Sequence, residues 1–559
     1  MKKKNIRQFL ILLCGIALVS LISSKYFFRI DLTAEKRYTL STETKQVLRQ
    51  LDAPLYVDIF LDGDLSVQFR KLRNSIREML DDFKPYSKSR IIYRLIDPSE
   101  ANNQQEREDH YAELEEIGIR KINFGKRNKD GSLSQQIIFP GAIFSYKDRQ
   151  YIVNFLSDNR VFSPEMILNA SLESLEYELI KTVNMLSADS IGRIAFTTGH
   201  GELDLTETYD LMREFLNFYH VDRKPIHGQL DALDAYKAVI IAKPRQLFDE
   251  KDKFVIDRYI MRGGKVMWLI DGANVNTDSL SNNGITFALA QELNLEDQLF
   301  IYGVRVNMNI VQDIVAQEIP VVVADGSSHS TLAPWLYYPL ANPSPNHAIT
   351  RNLNPVWLRY ASDIDTVGRD SGIRKSVLLQ TSEFSRTRSL PTMISLGEVE
   401  HMPEPQQFNK PYRITAVLLE GKFPSVFRSR NARSLFPELQ EKQPEKSVET
   451  KMVVVSDGDI ARNDVRNTTR GLAPSNPLGF DQYTRETFAN KEFLVNVLNY
   501  LTDDAGLMNL RNREFKLRLL NKQKVNDEQL KWQLINLALP MLLLLTGGLA
   551  YNRWRRYRY

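Results

Sequence analysis

Cysteine is nearly missing from this chain: its 559 residues contain one, Cys14. A single thiol excludes an intrachain disulfide, a CxxC redox pair and a cysteine-based metal cluster. It also argues against a small disulfide-stapled secreted domain. Phosphate-cradling and nucleophile motifs are missing as well. No GxxxxGK[ST] run is present to hold a nucleotide, and no GxSxG elbow presents a serine. Neither sign of charge dominates. The formal net charge is +4, and the basic residues are scattered rather than gathered into a stripe, so no nucleic-acid partner is expected.

What is present divides into two apolar ends and a polar middle. Residues 9–28 form an apolar and aromatic stretch behind Lys2, Lys3, Lys4 and Arg7, which reads as an uncleaved transmembrane anchor following a cytoplasmic segment, 1–8. Only Ser23-Ser24 offers a small-residue cut site, and Leu13 before Cys14 does not suit a lipoprotein signal. Residues 532–551 carry no charge in 20 positions, enough to cross a hydrocarbon core of about 30 Å. Pro540 lies inside this stretch, as membrane helices allow. Arg553, Arg555, Arg556 and Arg558 then mark 552–559 as a cytoplasmic tail. The consistent topology has two spans in a bacterial inner (cytoplasmic) membrane, both termini cytoplasmic and a large periplasmic body.

Within the body, hydrophobic periodicity predicts two α/β domains. The first, 29–190, has the order βαβαββα. It includes a helix over 67–83 with Phe69, Leu72, Ile76 and Leu80 on one face, and it resembles a thioredoxin-like unit without redox cysteine. The second, 191–272 together with 451–508, alternates strands and helices as a flavodoxin- or amidotransferase-like, doubly wound and mostly parallel sheet. Residues 273–450 break the rhythm and read as a large insertion with a charged linker near its end. A juxtamembrane stalk, 509–531, precedes the second span.

Ligands of open α/β sheets bind beyond the carboxyl ends of the strands. There the sequence gathers His200, Glu202, Asp271, Asp457 and Asp459, a set that could bind a ligand or assist acid–base chemistry. Gly, Asp and Ser are also the ordinary residues of strand-to-helix turns, and the structural reading of this edge outweighs the catalytic one. No catalytic residue, metal site or cofactor is assigned.

Several collinear segments resemble one family. They are Arg29-Ile30-Asp31-Leu32-Thr33 with Arg37-Tyr38-Thr39-Leu40-Ser41, Thr198-Gly199-His200-Gly201-Glu202, Leu378-Leu379-Gln380-Thr381-Ser382, and Val453–Asp459 with Asn490–Leu501. Together they are similar to the auxiliary, substrate-binding-like subunits of gliding-associated ABC transporters, the GldG family. The resemblance implies a non-enzymatic accessory subunit, a permease and an ATP-binding subunit as partners alongside the bilayer, and a role in gliding motility. It supplies no named ligand, and leaves an unknown small molecule or polymer as the ligand to look for. Two other expectations compete with it. A solute-binding protein would carry a bound small molecule, and a metal-assisted hydrolase would use the His200 edge.

Overall fold

The computed structural model describes residues 11, 13–15 and 39–558, except 89, 128–132, 157–163, 189–190, 323–329, 369–371, 401–402, 431–433, 438–443, 469–470 and 513–521. The expected first anchor lies outside these residues apart from Ile11, Leu13, Cys14 and Gly15, and so do the segment 29–37 and parts of the linker and stalk. Two units are separable, a body (38–513) and a C-terminal unit (514–559).

The body begins with helix α1 (Thr42–Gln50), whose Ser41 N-cap accepts a hydrogen bond from the Thr44 amide. A four-stranded sheet follows, built from β1 (Leu55–Ile59), β2 (Ile91–Leu95), β3 (Gly141–Tyr146) and β4 (Arg149–Asn154) in the order β2-β1-β3-β4. Strands β1 and β2 are parallel, and the other pairs are antiparallel. Helix α2 (Val67–Phe83) links the parallel pair. Its residues Phe69, Leu72, Ile76, Leu80 and Phe83, spaced three and four apart, are all buried. Helix α3 (Gln104–Glu116) is polar and buries only Leu114. Helix α4 (Pro164–Ser187) closes this half.

A ten-stranded sheet forms the second half. Its strands are β5 (Arg193–Thr198), β6 (His220–Pro225), β7 (Ala238–Ala242), β8 (Lys265–Leu269), β9 (Ala316–Val322), β10 (Ser330–Pro343), β11 (Ile373–Gln380), β12 (Ile414–Gly421) and β13 (Thr450–Val455). The order is β9-β10-β11-β12-β13-β8-β7-β5-β6, with Val356–Trp357 pairing against β10. From β13 to β6 the strands are parallel, whereas β9 to β13 are antiparallel. The sheet is therefore mixed, where the βα rhythm predicts a mostly parallel one. The difference arises because segment 273–450 adds strands β9–β12 to the same sheet instead of only looping out.

Both faces of the parallel half are covered. Along β7, Ala238, Ile240 and Ala242 join one apolar core, whereas Val239 and Ile241 join another. This two-sided burial explains the unbroken apolar run Ala-Val-Ile-Ile-Ala. Helices α5 (Tyr209–Leu216), α6 (Glu250–Met261) and α7 (Asn490–Thr502) supply the covering layers. The first core is continuous with that of the four-stranded half, joining Val57 and Phe144 to Leu179, Ile194 and Val497.

The C-terminal unit contains helix α8 (Lys522–Arg558), 37 residues with Pro540 inside. Among the described residues it is the one helix long and apolar enough to cross a membrane, over Glu528–Arg558. Its side chains Leu537, Leu542, Leu544 and Leu549 are uncovered by protein.

Candidate functional site

The loop after β5 turns back sharply at His200. Gly201 has a φ of 73°, a left-handed conformation that favours glycine. The turn lets the His200 carbonyl accept the Arg245 and Gln246 amides, both from the loop after β7. The imidazole is buried and stacks on Phe248, with ring centroids 3.7 Å apart and planes 11° from parallel. Its Nε2 lies 3.0 Å from Asp252 Oδ2, and its Nδ1 lies 3.6 Å from Glu202 Oε1. Burial disfavours the charged ring, but the hydrogen bond to Asp252 and the neighbouring Glu202 carboxylate outweigh it and push His200 up to about 9. The same contacts hold Glu202 and Asp252 below their ordinary values against the opposing effect of burial. Asp252 also accepts the Gly228 amide at 2.5 Å.

The three aspartates form a second cluster around Lys243, which follows β7. Lys243 Nζ lies 2.7 Å from Asp271 and 2.6 Å from Asp459. Asp271 Oδ1 accepts the Gly458 amide at 2.6 Å. Asp457 accepts the Asp459 amide at 2.8 Å and the Arg359 amide at 2.7 Å. Gly458 permits this approach, because a Cβ there would come within 2.5 Å of Lys243 Cβ. Lys243 itself sits at φ 53°, a strain of about 1–2 kcal/mol for a non-glycine residue that the two ion pairs offset. Burial opposes the Lys243 charge, yet its two aspartates raise its pKa. Burial together with the Asp459 and Asp271 charges pushes Asp457 well up, whereas Lys243 keeps Asp459 low against its own burial.

The five candidates thus fall into two groups, His200 with Glu202 and the aspartates with Lys243. Arg462 bridges them, contacting Asp459 at 3.4 Å and Glu207 at 3.1 Å. Glu207 in turn lies 3.5 Å from Arg245, which reaches the Gly201 carbonyl. Sequence reasoning left two essential partners unassigned. Asp252 stands in the first turn of α6, where an acidic residue is ordinary, and nothing in the sequence marks Lys243 as buried.

Most polar atoms of this edge are engaged by the fold. His200 Nε2 meets Asp252, Glu202 Oε2 accepts the His200 amide, and the aspartates face Lys243 or backbone amides, whereas His200 Nδ1 and Glu202 Oε1 are buried without a hydrogen-bond partner. Among the described residues no group of three or more His, Cys, Asp or Glu side chains is arranged to hold a metal. A cavity beside Asp271 measures about 30 Å³, room for about one water. The Thr381-Ser382 motif is spent similarly. The Ser382 amide and hydroxyl donate to Asp313 at 2.7 and 2.5 Å, and Thr381 Oγ1 accepts the Arg413 amide at 2.7 Å.

Comparison with known proteins places these features. An "Uncharacterized protein" of Borreliella burgdorferi is 22% identical over 544 residues, covering 95% of this chain and 94% of the relative. Among solved structures, the mmIFT52 N-terminal domain matches 56% of this chain and 97% of its own length at 14% identity. Its TM-score of 0.32 is too low to imply a shared fold. Residues 34–145 match a domain of unknown function, DUF7088. Residues 192–497, more than half of the chain and all strands of the ten-stranded sheet, match the family described as "ABC-type uncharacterized transport system". This chain belongs to that transport-associated family.

Proposed function

We propose that the protein is a non-enzymatic accessory subunit of an ABC transporter, attached to the bacterial cytoplasmic membrane and working beside a permease and an ATP-binding subunit. The observation that carries this reading is the state of the sheet edge. Each of the five candidate side chains there makes at least one contact that pins a loop, and the cavity beside Asp271 holds about one water. The uncovered apolar surface of α8 supports membrane attachment. The collinear motifs support the gliding-associated branch of the family. The β2-β1-β3-β4 order supports a thioredoxin-like first half, and the parallel strands β13 to β6 support a flavodoxin-like origin for the second. On the N-terminal lysines, both termini are cytoplasmic and the body is periplasmic.

Affinity purification of the full chain from detergent-solubilised membranes tests the assignment. Co-purification of a multi-span permease and an ATPase is expected, and their absence from gently extracted membranes refutes it. An alkaline phosphatase fused at Asn526 should be active outside the cytoplasm and one fused after Tyr559 inactive. The reverse pattern overturns the topology. Hydrolysis of nucleotides, amides or esters that His200→Ala abolishes, with the fold intact, would establish an enzyme instead.

A further inference from the structure

A second cleft lies away from the His200 edge, where the two halves of the body meet. Its volume is about 640 Å³, within the range of about 300–1,000 Å³ typical of ligand pockets. Strand β4 and helix α4 form one side, and α5, α7 and the turn Leu507–Asn512 form the other. Six charged side chains line it, Arg120, Lys181 and Arg511 against Glu178, Glu214 and Glu492. Among the described residues, none of the six lies within ion-pair distance of an opposite charge. Arg511 donates from Nη2 to the Arg351 carbonyl at 3.2 Å and lies over the Tyr177 ring, while its Nη1 is buried without a hydrogen-bond partner. Lys181 rests over the Phe218 and Tyr177 rings at 5.2 and 5.9 Å.

This contrasts with the rest of the body. Lys253, wholly buried, is matched by Asp297 at 2.8 Å and Glu250 at 3.1 Å. Lys253 is matched by carboxylates of the fold, whereas the six charges lining the cleft have no ion-pair partner among the described residues. Strand β4 adds a second feature. It is an edge strand of its sheet, and among the described residues no further backbone hydrogen bond reaches Arg149–Val153 from its outer side. An open strand edge accepts an extended backbone, and charges of both signs accept a ligand bearing both an ammonium and a carboxylate.

We infer that this cleft binds a short stretch of extended polypeptide carrying both a positive and a negative charge. The site is independent of the accessory-subunit reading and of the His200 edge. The ligand has two possible sources, a free oligopeptide with charged termini or an internal segment of a partner polypeptide with charged side chains.

Isothermal titration calorimetry on the full chain in detergent separates them. The probes are tetra-alanine with free termini, N-acetylated and C-amidated Lys-Ala-Ala-Glu, and N-acetylated and C-amidated tetra-alanine. Binding of free tetra-alanine identifies an oligopeptide ligand, and binding of the blocked charged peptide alone identifies a partner segment. The double variant Lys181→Gln/Glu214→Gln should weaken that binding by at least about tenfold, with a thermal midpoint within about 3 °C of the parent because neither charge is paired in the fold. The inference falls if neither charged probe binds up to about 10 mM, if the neutral blocked peptide binds as tightly, or if the variant leaves affinity unchanged. A larger drop in the midpoint also overturns it, because it would show the charges serving the fold.

Discussion

His200 and Lys243 follow neighbouring strands, β5 and β7, and each is a buried cation held between two carboxylates. They differ in whether that charge can leave. Lys243 keeps its proton across the physiological range, with its pKa raised by Asp271 and Asp459 against the cost of burial. The His200 ring, at about 9, can lose its proton under mildly alkaline conditions. One edge of one sheet therefore holds a permanent lock and a titratable one. A buried charge contributes to a fold only while its partner remains, and removing one partner costs more than the pair itself contributes.

The largest effect is expected from Lys243→Met, which leaves buried Asp271 without its cation and Asp459 with only Arg462, at 3.4 Å. Chemical denaturation should show a loss of about 3–5 kcal/mol, the cost of breaking a buried pair. A loss below about 1 kcal/mol, in the range of exposed pairs, would mean that solvent reaches the cluster and that the comparison with His200 fails.

Asp252→Asn should cost about 2 kcal/mol, because it removes the closer carboxylate from His200 and the charge that receives the Gly228 amide. Its more telling result is a pKa change. The His200 resonance in an NMR titration should move down from about 9 toward its ordinary value, because burial then meets only Glu202. An unchanged titration would show that Glu202 alone holds the proton.

The wild-type pH profile gives the next effect. The folded pKa of His200 lies above its unfolded value of 6.5, so the stabilisation is complete below about 6.5 and is lost as pH rises through about 9. Glu202 and Asp252 are shifted the other way, and their contribution is lost only in acid. Stability measured by denaturation should therefore fall by on the order of 1–2 kcal/mol between these limits. His200→Gln should flatten that slope, whereas Lys243→Met should keep it. A slope that survives in His200→Gln assigns the titration elsewhere.

The difference between the two locks also marks what a single sequence reveals. Local pattern located α2, which buries residues three and four apart, and β5 and β7, which are short apolar runs buried on both faces. Strand β6 (His-Val-Asp-Arg-Lys-Pro) escaped, since it lies at the sheet edge and shows no alternation. The pairing of β10 with β11 and of β12 with β13 escaped too, since long-range strand partners leave no local mark. The five candidate residues were legible as a sheet edge. Their division into two groups depended on Asp252 and Lys243, and Lys243 lies 28 residues from Asp271 and 216 from Asp459 in sequence.

The smallest expected effect decides whether the locks are two units or one. Glu207 sits between them, bonded to Arg462 on the Lys243 side and near Arg245 on the His200 side. Arg245 and Arg462 are partly exposed, with side-chain accessibilities of 43% and 31%, so solvent screens these contacts and each contributes at most about 1 kcal/mol. Glu207→Gln alone should therefore change stability little. Its consequence appears in a double-mutant cycle combining His200→Gln with Lys243→Arg, a milder variant that keeps the charge. With Glu207 present the two substitutions should be non-additive by about 0.5–1 kcal/mol, because each shifts a loop that Glu207 ties to the other. In the Glu207→Gln background the same pair should add within about 0.3 kcal/mol. Additivity in both backgrounds would mean that the locks work separately and that the Arg462–Glu207–Arg245 bridge carries no energy between them.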